Sequence, residues 1–283
     1  MIHSEFKAAM KVRNYILLFI LVSTAIYAQD NENRYGVCLI DGQSIIGCNT
    51  ERFFAMHSVM KFPQALYVVE YLKLNGLSIN DSILIDTSEL EYDTWSPMLN
   101  DFDGETYVTY AQLLKYSLAQ SDNNACDLLF EHCGSPLAVE QYIRSIGFNN
   151  IHIRLTEKEM HATPDRVFEN CCTPLDMANL LEWFYLHISD NEYYEYLSYI
   201  MENCKTGLER VSSVIPDGSK FVHKTGTGFT NSNGETDRND VGIVCLPDDT
   251  HITIVVFVPN AKTESDVAVI AKRYILKAAE CFK

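Results

Sequence analysis

The order of apolar and polar positions along the chain predicts strands near both ends and helices between them. Near the start, two short apolar runs flank Asp41-Gly42, which is typical of a β-hairpin. Apolar residues then recur at helical spacing in four further segments, at 110–118, 123–133, 137–146 and 174–187. Strand-like runs return at 221–223, 241–246 and 252–258, before a closing helix at 264–282.

These elements predict an α+β fold in which one antiparallel sheet is assembled from both ends of the chain. Helices would cover that sheet and would also form an all-helical lobe beside it. Residues 151–172 show no clear periodicity and predict a long surface loop, a feature that is commonly functional in compact domains. The cleft between the two lobes is the expected site.

The first 28 residues have the pattern of a secretory signal peptide. Three basic residues precede the apolar stretch Tyr15–Val22, and small residues follow up to Ala28. A membrane anchor or a buried first helix are the alternatives, but the stretch is short for a membrane span. We therefore predict cleavage near Ala28, a mature domain of residues 29–283 and a periplasmic location.

The net charge of the chain indicates which kinds of partner it can bind, and its cysteines indicate which disulfides are possible. The formal net charge is -16, and removal of the predicted signal makes the rest more acidic still, so nucleic acid and anionic membranes should be repelled. A monomer acting on a small molecule is expected. All nine cysteines follow the predicted cleavage point; Cys38 and Cys48 could pair across the hairpin, or the thiols could serve as small buried hydrophobes. No histidine cluster or glycine-rich phosphate loop is present, so no metal or cofactor is expected.

A serine and a lysine stand three residues apart at the start of the apolar helical run 62–72. Ser58 would lie near the positive end of this helix, with Lys61 one turn further on. A lysine in that position can exchange a proton with the hydroxyl, which makes Ser58 a candidate nucleophile. Taken alone, the same pattern is also produced by a helix cap followed by a solvated lysine.

Two further polar triplets follow along the chain, and their order and structural setting are informative. Ser121-Asp122-Asn123 comes after the helix that ends near Ala119, and Lys224-Thr225-Gly226 lies on the strand that begins at Phe221. S-x-x-K at a helix start, S-D-N between helices and K-T-G on a late strand are the motifs of class A β-lactamases and penicillin-binding proteins. From Tyr35 to Phe282 the chain resembles a class A serine β-lactamase.

The resemblance implies a fold and a set of catalytic roles. The fold would be a five-stranded antiparallel sheet flanked by helices, in an α/β lobe built from residues 29–60 and 205–283, plus a helical lobe of about residues 61–204. Ser58 would attack the lactam carbonyl, Lys61 would accept or relay its proton, and Ser121 would carry a proton to the lactam nitrogen. Asp122 is expected to hold its own loop together.

Other motif residues are expected to bind the substrate. Asn123 would contact its side-chain amide, and Lys224 would supply positive potential near its carboxylate. The hydroxyls of Thr225 and Thr227 would hydrogen-bond that carboxylate, and the backbone N–H groups of Ser58 and Thr227 would form the oxyanion hole. Gly226 would let the strand backbone approach the ligand.

A hydrolase of this family needs a glutamate that clears the acyl-enzyme, in an E-x-x-L-N segment of a long loop. Glu157-x-x-Met160-His161 fits that register, whereas Glu159 fits it less well. We therefore predict Glu157 as the base that positions the deacylating water. His161 occupies the place of the asparagine, which is one of the usual partners of that water, although an imidazole can still hydrogen-bond the glutamate.

Two residues outside the motifs are candidate substrate contacts. Trp95 matches an aromatic residue that flanks the cleft of the family, although a core tryptophan would give the same signal. Arg210 is a candidate to support carboxylate recognition, because the strand after K-T-G lacks the arginine that many members have there; a structural arginine is the alternative. These segments are similar to the branch that includes extended-spectrum cephalosporinases. His57 stands where many carbapenem-active members have cysteine, which argues against that activity.

One departure from the family concerns the N-terminus. Class A enzymes have a long helix before the first strand, but only residues 29–34 separate the predicted signal from that strand. Either residues 5–28 replace the helix in an uncleaved chain, or one sheet face is thinly covered. The competing functions are a penicillin-binding DD-peptidase that acts on peptidoglycan peptides and a β-lactam sensor that is acylated without turnover.

Overall fold

A computed structural model describes residues 34–42 and 44–281 of the chain. The predicted signal peptide lies outside the described residues, and so does the first helix that residues 5–28 would form in an uncleaved chain. Ten strands lie within them: β1 Gly36–Asp41, β2 Ser44–Cys48, β3 Phe54–Ala55, β4 Ser82–Asp86, β5 Glu105–Thr109, β6 Ile151–His152, β7 Cys171–Cys172, β8 Lys220–Thr230, β9 Thr236–Cys245 and β10 His251–Ala261. The described helices are α1 Lys61–Leu74, α2 Tyr110–Ala119, α3 Asn123–Cys133, α4 Pro136–Ser145, α5 Glu157–Ala162, α6 Pro174–His187, α7 Glu192–Glu202 and α8 Ser265–Cys281.

The two ends of the described chain form one five-stranded antiparallel sheet with the strand order β2-β1-β10-β9-β8. The sheet joins the first hairpin to the last three strands through the pairing of β1 with β10, where Cys38 lies opposite Val255. This arrangement confirms the predicted α+β fold with a five-stranded antiparallel sheet. Strand β8 lies at one edge, and it carries the K-T-G motif to the surface where the helical part of the chain meets the sheet.

Both faces of the sheet are buried, as the nearly continuous apolar runs of its strands require. Along β10, Val255 and Phe257 contribute to the core that is shared with the helical part, whereas Ile254 and Val256 face the core beneath α8. The Cys38 side chain lies in the first core and Cys48 packs against the second. These two side chains therefore point to opposite faces of the sheet, which rules out their pairing across the hairpin.

Long helices match the periodicity of the sequence most closely, and short elements do not. Helices α3 and α6 begin and end at the predicted residues, and α2, α4 and α8 differ by one or two positions at their ends. The sequence analysis missed α7, which buries Tyr194, Leu197, Ile200 and Met201, and the small β4–β5 hairpin. The predicted loop at 151–172 contains the one-and-a-half-turn helix α5 and two-residue strands at its ends. None of the described helices is long and apolar enough to cross a bilayer.

Candidate active site

The Ser58 hydroxyl lies between an ammonium and a carboxylate. Ser58 is in the 3-10 turn His57–Met60, which runs directly into α1. Its Oγ accepts a hydrogen bond from Lys61 Nζ at 2.9 Å and donates one to Glu157 Oε1 at 3.2 Å. The hydroxyl proton therefore already points at a base, while its oxygen faces a proton donor.

Lys61 is fully buried, and it contacts the nucleophile turn, the S-D-N motif and the start of α5. Its Nζ lies 2.8 Å from Glu157 Oε1, 2.7 Å from Asn123 Oδ1 and 2.9 Å from the carbonyl oxygen of Ser121, in addition to the contact with Ser58. An ammonium has three N–H groups for these four oxygens, so at least one contact is shared. The same atom can thus change its proton partner without moving far.

Glu157 is the first residue of α5, and Asp127 from α3 fixes that end of the helix. The Asp127 carboxylate accepts hydrogen bonds from the backbone N–H groups of Glu157 and Lys158, both at 2.8 Å. Burial, followed by the nearby charge of Glu157, raises the pKa of Asp127 to about 7. Thr156 and Glu159 close the start of α5 as a reciprocal capping box. Sequence analysis missed Asp127, which follows the S-D-N motif by four residues.

Asn170 holds the other end of the segment that carries Glu157. Its buried side chain accepts hydrogen bonds from the backbone N–H groups of Arg154 at 2.7 Å and Leu155 at 2.9 Å, and donates to the carbonyl oxygen of Leu155 at 2.8 Å. The Asn170 carbonyl oxygen accepts from the Met56 N–H, two residues before the nucleophile. This residue therefore joins the loop to the turn that presents Ser58.

Replacement of Asn170 by alanine should lower the free energy of unfolding by about 3 kcal/mol, because buried backbone groups lose their partners. Urea denaturation followed by circular dichroism measures this change. Asn233→Ala, at an exposed turn between β8 and β9, is the control and should change stability by less than about 0.5 kcal/mol. Equal stability of the two variants would contradict the assigned role of Asn170.

The S-D-N triplet presents its two outer residues to the site and uses the middle one for structure. Ser121 has a positive φ of 58°, and its Oγ accepts a hydrogen bond from Lys224 Nζ at 2.8 Å. Asp122 is fully buried and accepts from Ser96 and from the backbone of Met98 and Ala125, so it holds the adjoining loop. Besides its contact with Lys61, Asn123 donates to Thr94 Oγ1 at 2.8 Å.

Lys224 is a second fully buried ammonium close to the first. Apart from Ser121, its Nζ donates to the carbonyl oxygen of Thr225 at 2.8 Å. Burial, followed by the positive charge of Lys61, lowers the pKa of Lys224 to about 7. The structure thus brings Ser58, Lys61, Ser121 and Lys224 into one connected set, together with Glu157.

Strand β8 forms one wall of the cleft. Thr225 and Thr227 line it, whereas Gly226 faces away from it: a Cβ there would stand 2.4 Å from the Met56 carbonyl oxygen. The glycine thus permits close packing of β8 against the nucleophile turn. Arg210 is buried behind this wall, and its guanidinium donates to Thr227 Oγ1 at 2.7 Å and ion-pairs with Glu264. Arg210 therefore reaches the cleft through Thr227.

Aromatic side chains also line the cleft. Trp95 is 62% exposed and lines the cleft, with its indole N–H donating to the Gln120 carbonyl oxygen at 2.8 Å. His161 lines it from α5 and lies 5.8 Å from the ring of Phe229 on β8. The cleft has a volume of about 440 Å³, which is large enough for a drug-sized molecule. Phe229 was missed by the sequence analysis.

His57 links the nucleophile turn to the sheet. It has a positive φ of 48°, and its Nε2 lies 3.1 Å from Asp237 Oδ2 on β9. The ring packs against Gly228, where a Cβ would stand 2.8 Å from it. Among the described residues, no group of three or more His, Cys, Asp and Glu side chains is arranged to hold a metal ion.

Comparisons with known proteins agree with this geometry. A sequence model described as the β-lactamase enzyme family matches residues 22–273. The chain is 32% identical to β-lactamase VEB-1 of Pseudomonas aeruginosa over 239 residues, which cover 83% of this chain and 80% of VEB-1. It is also 32% identical to the extended-spectrum β-lactamase PER-1 of the same species, over 75% of this chain and 70% of PER-1.

Comparisons with solved structures agree with these sequence similarities. A β-lactamase from Chitinophaga pinensis superposes with a TM-score of 0.81 at 30% identity and covers 96% of this chain and 99% of its own. The extended-spectrum β-lactamase TLA-3 superposes with the same TM-score at 29% identity, over 96% of this chain and 98% of its own. A class A β-lactamase from Bacteroides cellulosilyticus gives a TM-score of 0.77 at 28% identity, over 87% and 90%. The chain therefore belongs to the β-lactamase enzyme family, in its class A serine branch.

Proposed function

We propose that this class A β-lactamase opens the β-lactam ring of penicillins and cephalosporins through an acyl-enzyme on Ser58, and that Glu157 clears that intermediate. The observation that carries the proposal is the Ser58 Oγ contact with both Lys61 Nζ, at 2.9 Å, and Glu157 Oε1, at 3.2 Å. One group can take the hydroxyl proton for attack, and the other can take a proton from water. Hydrolysis of these antibiotics would confer resistance on the host.

Acylation begins when Ser58 Oγ attacks the lactam carbonyl and its proton passes to Glu157, or to Lys61 after the Lys61 ammonium has given a proton to Glu157, 2.8 Å away. The negative charge on the carbonyl oxygen would be stabilised by the backbone N–H groups of Ser58 and Thr227. The lactam nitrogen then leaves and takes a proton from Ser121, which Lys224 Nζ contacts at 2.8 Å. A carboxylate on the substrate would lie against Lys224 and the cleft-facing hydroxyls of β8.

Deacylation uses the carboxylate of Glu157. It removes a proton from a water molecule, and the resulting hydroxide attacks the ester carbonyl. Ser58 Oγ then leaves and takes the proton back from Glu157, which lies 3.2 Å away. Asn123 and Trp95 both line the cleft and would contact the side chain of the substrate. A side chain as large as those of extended-spectrum cephalosporins would have to fit beside His161, Phe229 and Trp95, which all line the cleft.

A penicillin-binding DD-peptidase or a β-lactam sensor would share the three motifs but would keep its acyl group. The position of Glu157, in contact with the nucleophile itself, favours the hydrolase. We further propose a signal peptide at 1–28, a monomeric catalytic domain at 29–283 with lobes divided near residues 60 and 205, and a periplasmic location. The acidic net charge of -16 supports the absence of a nucleic-acid partner.

Hydrolysis of a chromogenic cephalosporin by the purified protein, followed by mass spectrometry of the intact chain, tests the proposal. Sustained turnover without a lasting adduct is the expected result. A stoichiometric burst followed by a stable adduct on Ser58 would identify a penicillin-binding or sensor protein instead.

The charge of Lys224 should limit activity at high pH. Because the pKa of Lys224 is lowered to about 7, kcat/KM for a carboxylate-bearing penicillin should fall as the pH rises above that value, when the free enzyme loses this positive charge. Lys224→Arg keeps its charge through this range, so its kcat/KM should decline only at higher pH. The measurement is kcat/KM from pH 5 to pH 10. A basic limb at the same pH in both proteins would show that another group controls it.

A further inference from the structure

Side chains of β9 hold the turn that carries the nucleophile. Asp237 and Asn239 stand two positions apart on this strand, so they point to the same face of the sheet. The buried Asn239 amide donates to the carbonyl oxygens of Ala55 at 2.9 Å and Met56 at 3.2 Å. Asp237 contacts the next residue of the chain, which directly precedes the nucleophile.

The residue that Asp237 contacts is His57. His57 is 5% exposed, and its Nε2 lies 3.1 Å from Asp237 Oδ2. The other carboxylate oxygen, Oδ1, accepts a hydrogen bond from the backbone N–H of Asn260 on β10 at 2.9 Å. Burial would raise the pKa of Asp237, but the hydrogen bonds from His57 and Asn260 lower it below its usual value, so the carboxylate is ionised at neutral pH. This contact therefore joins the nucleophile turn to two strands of the sheet.

The backbone of His57 is unusual for a residue that carries a side chain. Its φ is 48°, in the left-handed region that is unfavourable for residues other than glycine. A conformation of this kind persists where surrounding contacts hold it. Asp237 holds the His57 side chain, so the backbone conformation that places Ser58 depends on the same contact.

The His57 ring also lies against the backbone of β8. A Cβ at Gly228 would stand 2.8 Å from the His57 ring and 3.2 Å from Asp237 Cβ. Any larger residue at this position would therefore push the ring away from its carboxylate partner. His57 thus contacts β8 through its ring face and β9 through its Nε2.

The part of β8 that His57 contacts is irregular. Pairing with β9 is regular up to Thr227 and resumes at Thr230, and β8 advances three residues in this interval while β9 advances two. The extra residue makes a bulge, at which the ladder of backbone hydrogen bonds is interrupted. Thr227 is also the residue whose N–H would complete the oxyanion hole with that of Ser58. His57 therefore connects the two halves of this hole, since it precedes one residue and packs beside the other.

His57 is not placed to take the proton of the nucleophile. Ser58 Oγ contacts Lys61 Nζ at 2.9 Å and Glu157 Oε1 at 3.2 Å. His57 Nε2 faces the carboxylate on β9 instead. His57 and Asp237 therefore act on the reaction through the backbone that they hold.

We propose that His57 and Asp237 are positioning residues for the oxyanion hole. Their contact, here called the His57–Asp237 clamp, holds the nucleophile turn against the bulge of β8, so that the N–H groups of Ser58 and Thr227 keep the spacing that the lactam oxygen needs. The inference rests on the proposed acylation of Ser58. It goes beyond the three motifs, since neither residue of the clamp belongs to them.

Replacement of His57 by leucine keeps much of the bulk of the ring but removes its contact with Asp237. kcat/KM should fall about 10- to 100-fold with little change in KM, because the oxyanion loses well-placed donors. A small penicillin and a large cephalosporin should be affected by the same factor, since every lactam carbonyl uses the same two N–H groups. Single-turnover kinetics should show that acylation and deacylation are both slowed. His57→Gln, whose amide can replace Nε2 as the partner of Asp237, should recover most of the rate.

Asp237→Ala tests the clamp from its other side. It should match His57→Leu, and the double variant should lose less than about twofold more activity than either single variant, because the same contact is already broken. Asp217→Ala, at an exposed turn before β8, is the control and should keep wild-type kinetics. Losses that multiply in the double variant would show that the two residues act separately, which would overturn the clamp.

Binding of a boronic acid provides a measurement that does not depend on turnover. Phenylboronic acid adds reversibly to a nucleophilic serine, and one oxygen of the tetrahedral adduct would then occupy the oxyanion hole as in the transition state. Its Kd, measured by isothermal titration calorimetry, should rise in His57→Leu by about the same factor as kcat/KM falls. Circular dichroism checks that the variant is folded; if it is not, Asp237→Ala, at a partly exposed side chain, is used for the same measurement.

An unchanged boronate Kd in the folded variant would overturn the proposal. A loss of kcat/KM confined to substrates with large side chains would also overturn it, because it would mean that His57 shapes the side-chain pocket. A wild-type protein that is acylated without turnover would instead contradict the proposed hydrolase. Its acylation rates and boronate affinities would still decide whether the clamp exists.

Discussion

Replacement of Glu157 by glutamine is expected to stop the enzyme at the acyl-enzyme stage, with kcat reduced by about 10²–10⁴-fold. Glutamine keeps the size of the side chain and its place at the start of α5, but its amide cannot take a proton from water. Lys61 remains next to Ser58 Oγ, so acylation should still occur. Stopped-flow absorbance with a chromogenic cephalosporin should therefore show a burst, and mass spectrometry should find the adduct on Ser58.

Glu159→Gln is the matched control for this variant. Glu159 is two residues away on the same helix, it is exposed, and glutamine can preserve its capping hydrogen bond to Thr156. Its kcat should remain within about twofold of the wild type, as for surface changes that leave the site intact. If Glu159→Gln accumulated the adduct and Glu157→Gln did not, the assignment of the base would be wrong.

Replacement of Lys61 by methionine should slow acylation by about 10²–10⁴-fold, because the amine that can relay the Ser58 proton to Glu157 is lost. Methionine has nearly the same length, so the packing of α1 is kept. The change also leaves Glu157 without its cation at 2.8 Å and deprives Asn123 and the Ser121 carbonyl oxygen of a donor. Single-turnover kinetics should therefore show slow adduct formation, in contrast to the fast burst expected for Glu157→Gln.

Lys115→Met serves as the control, since Lys115 is an exposed residue of α2. It should retain wild-type acylation. Fast acylation in Lys61→Met, with only the second step impaired, would mean that Glu157 alone activates Ser58. The two variants together thus decide which of the two bases on Ser58 serves each step.

The local sequence pattern was sufficient to predict the elements of this protein that depend on residues close together in the chain. Helical spacing located α3 and α6, and the Asp41-Gly42 turn located the first hairpin, because each depends on neighbours in sequence. The three motifs could be recognised for the same reason: each is a short run at the start of a helix, between helices or on a strand. Family membership, the α+β fold and the β-lactamase activity could therefore be predicted from the sequence.

Contacts between distant residues were decided by the tertiary structure. Asp127 caps α5 from 30 residues away, Asn170 binds the turn before Ser58, and Arg210 reaches the cleft through Thr227. Periodicity does not report such contacts, because a buried polar side chain looks the same in sequence whether it caps a helix or faces solvent.

The contact between His223 and Asp240 shows this division most clearly. In sequence, His223 and Asp240 stand 17 residues apart, and no local pattern pairs them. The pairing of β8 with β9 sets His223 opposite Gly242, which leaves room for its ring, and brings Asp240 within 2.8 Å. Sequence determined which groups are present, but their charge states depend on burial and on neighbours, which only folding supplies.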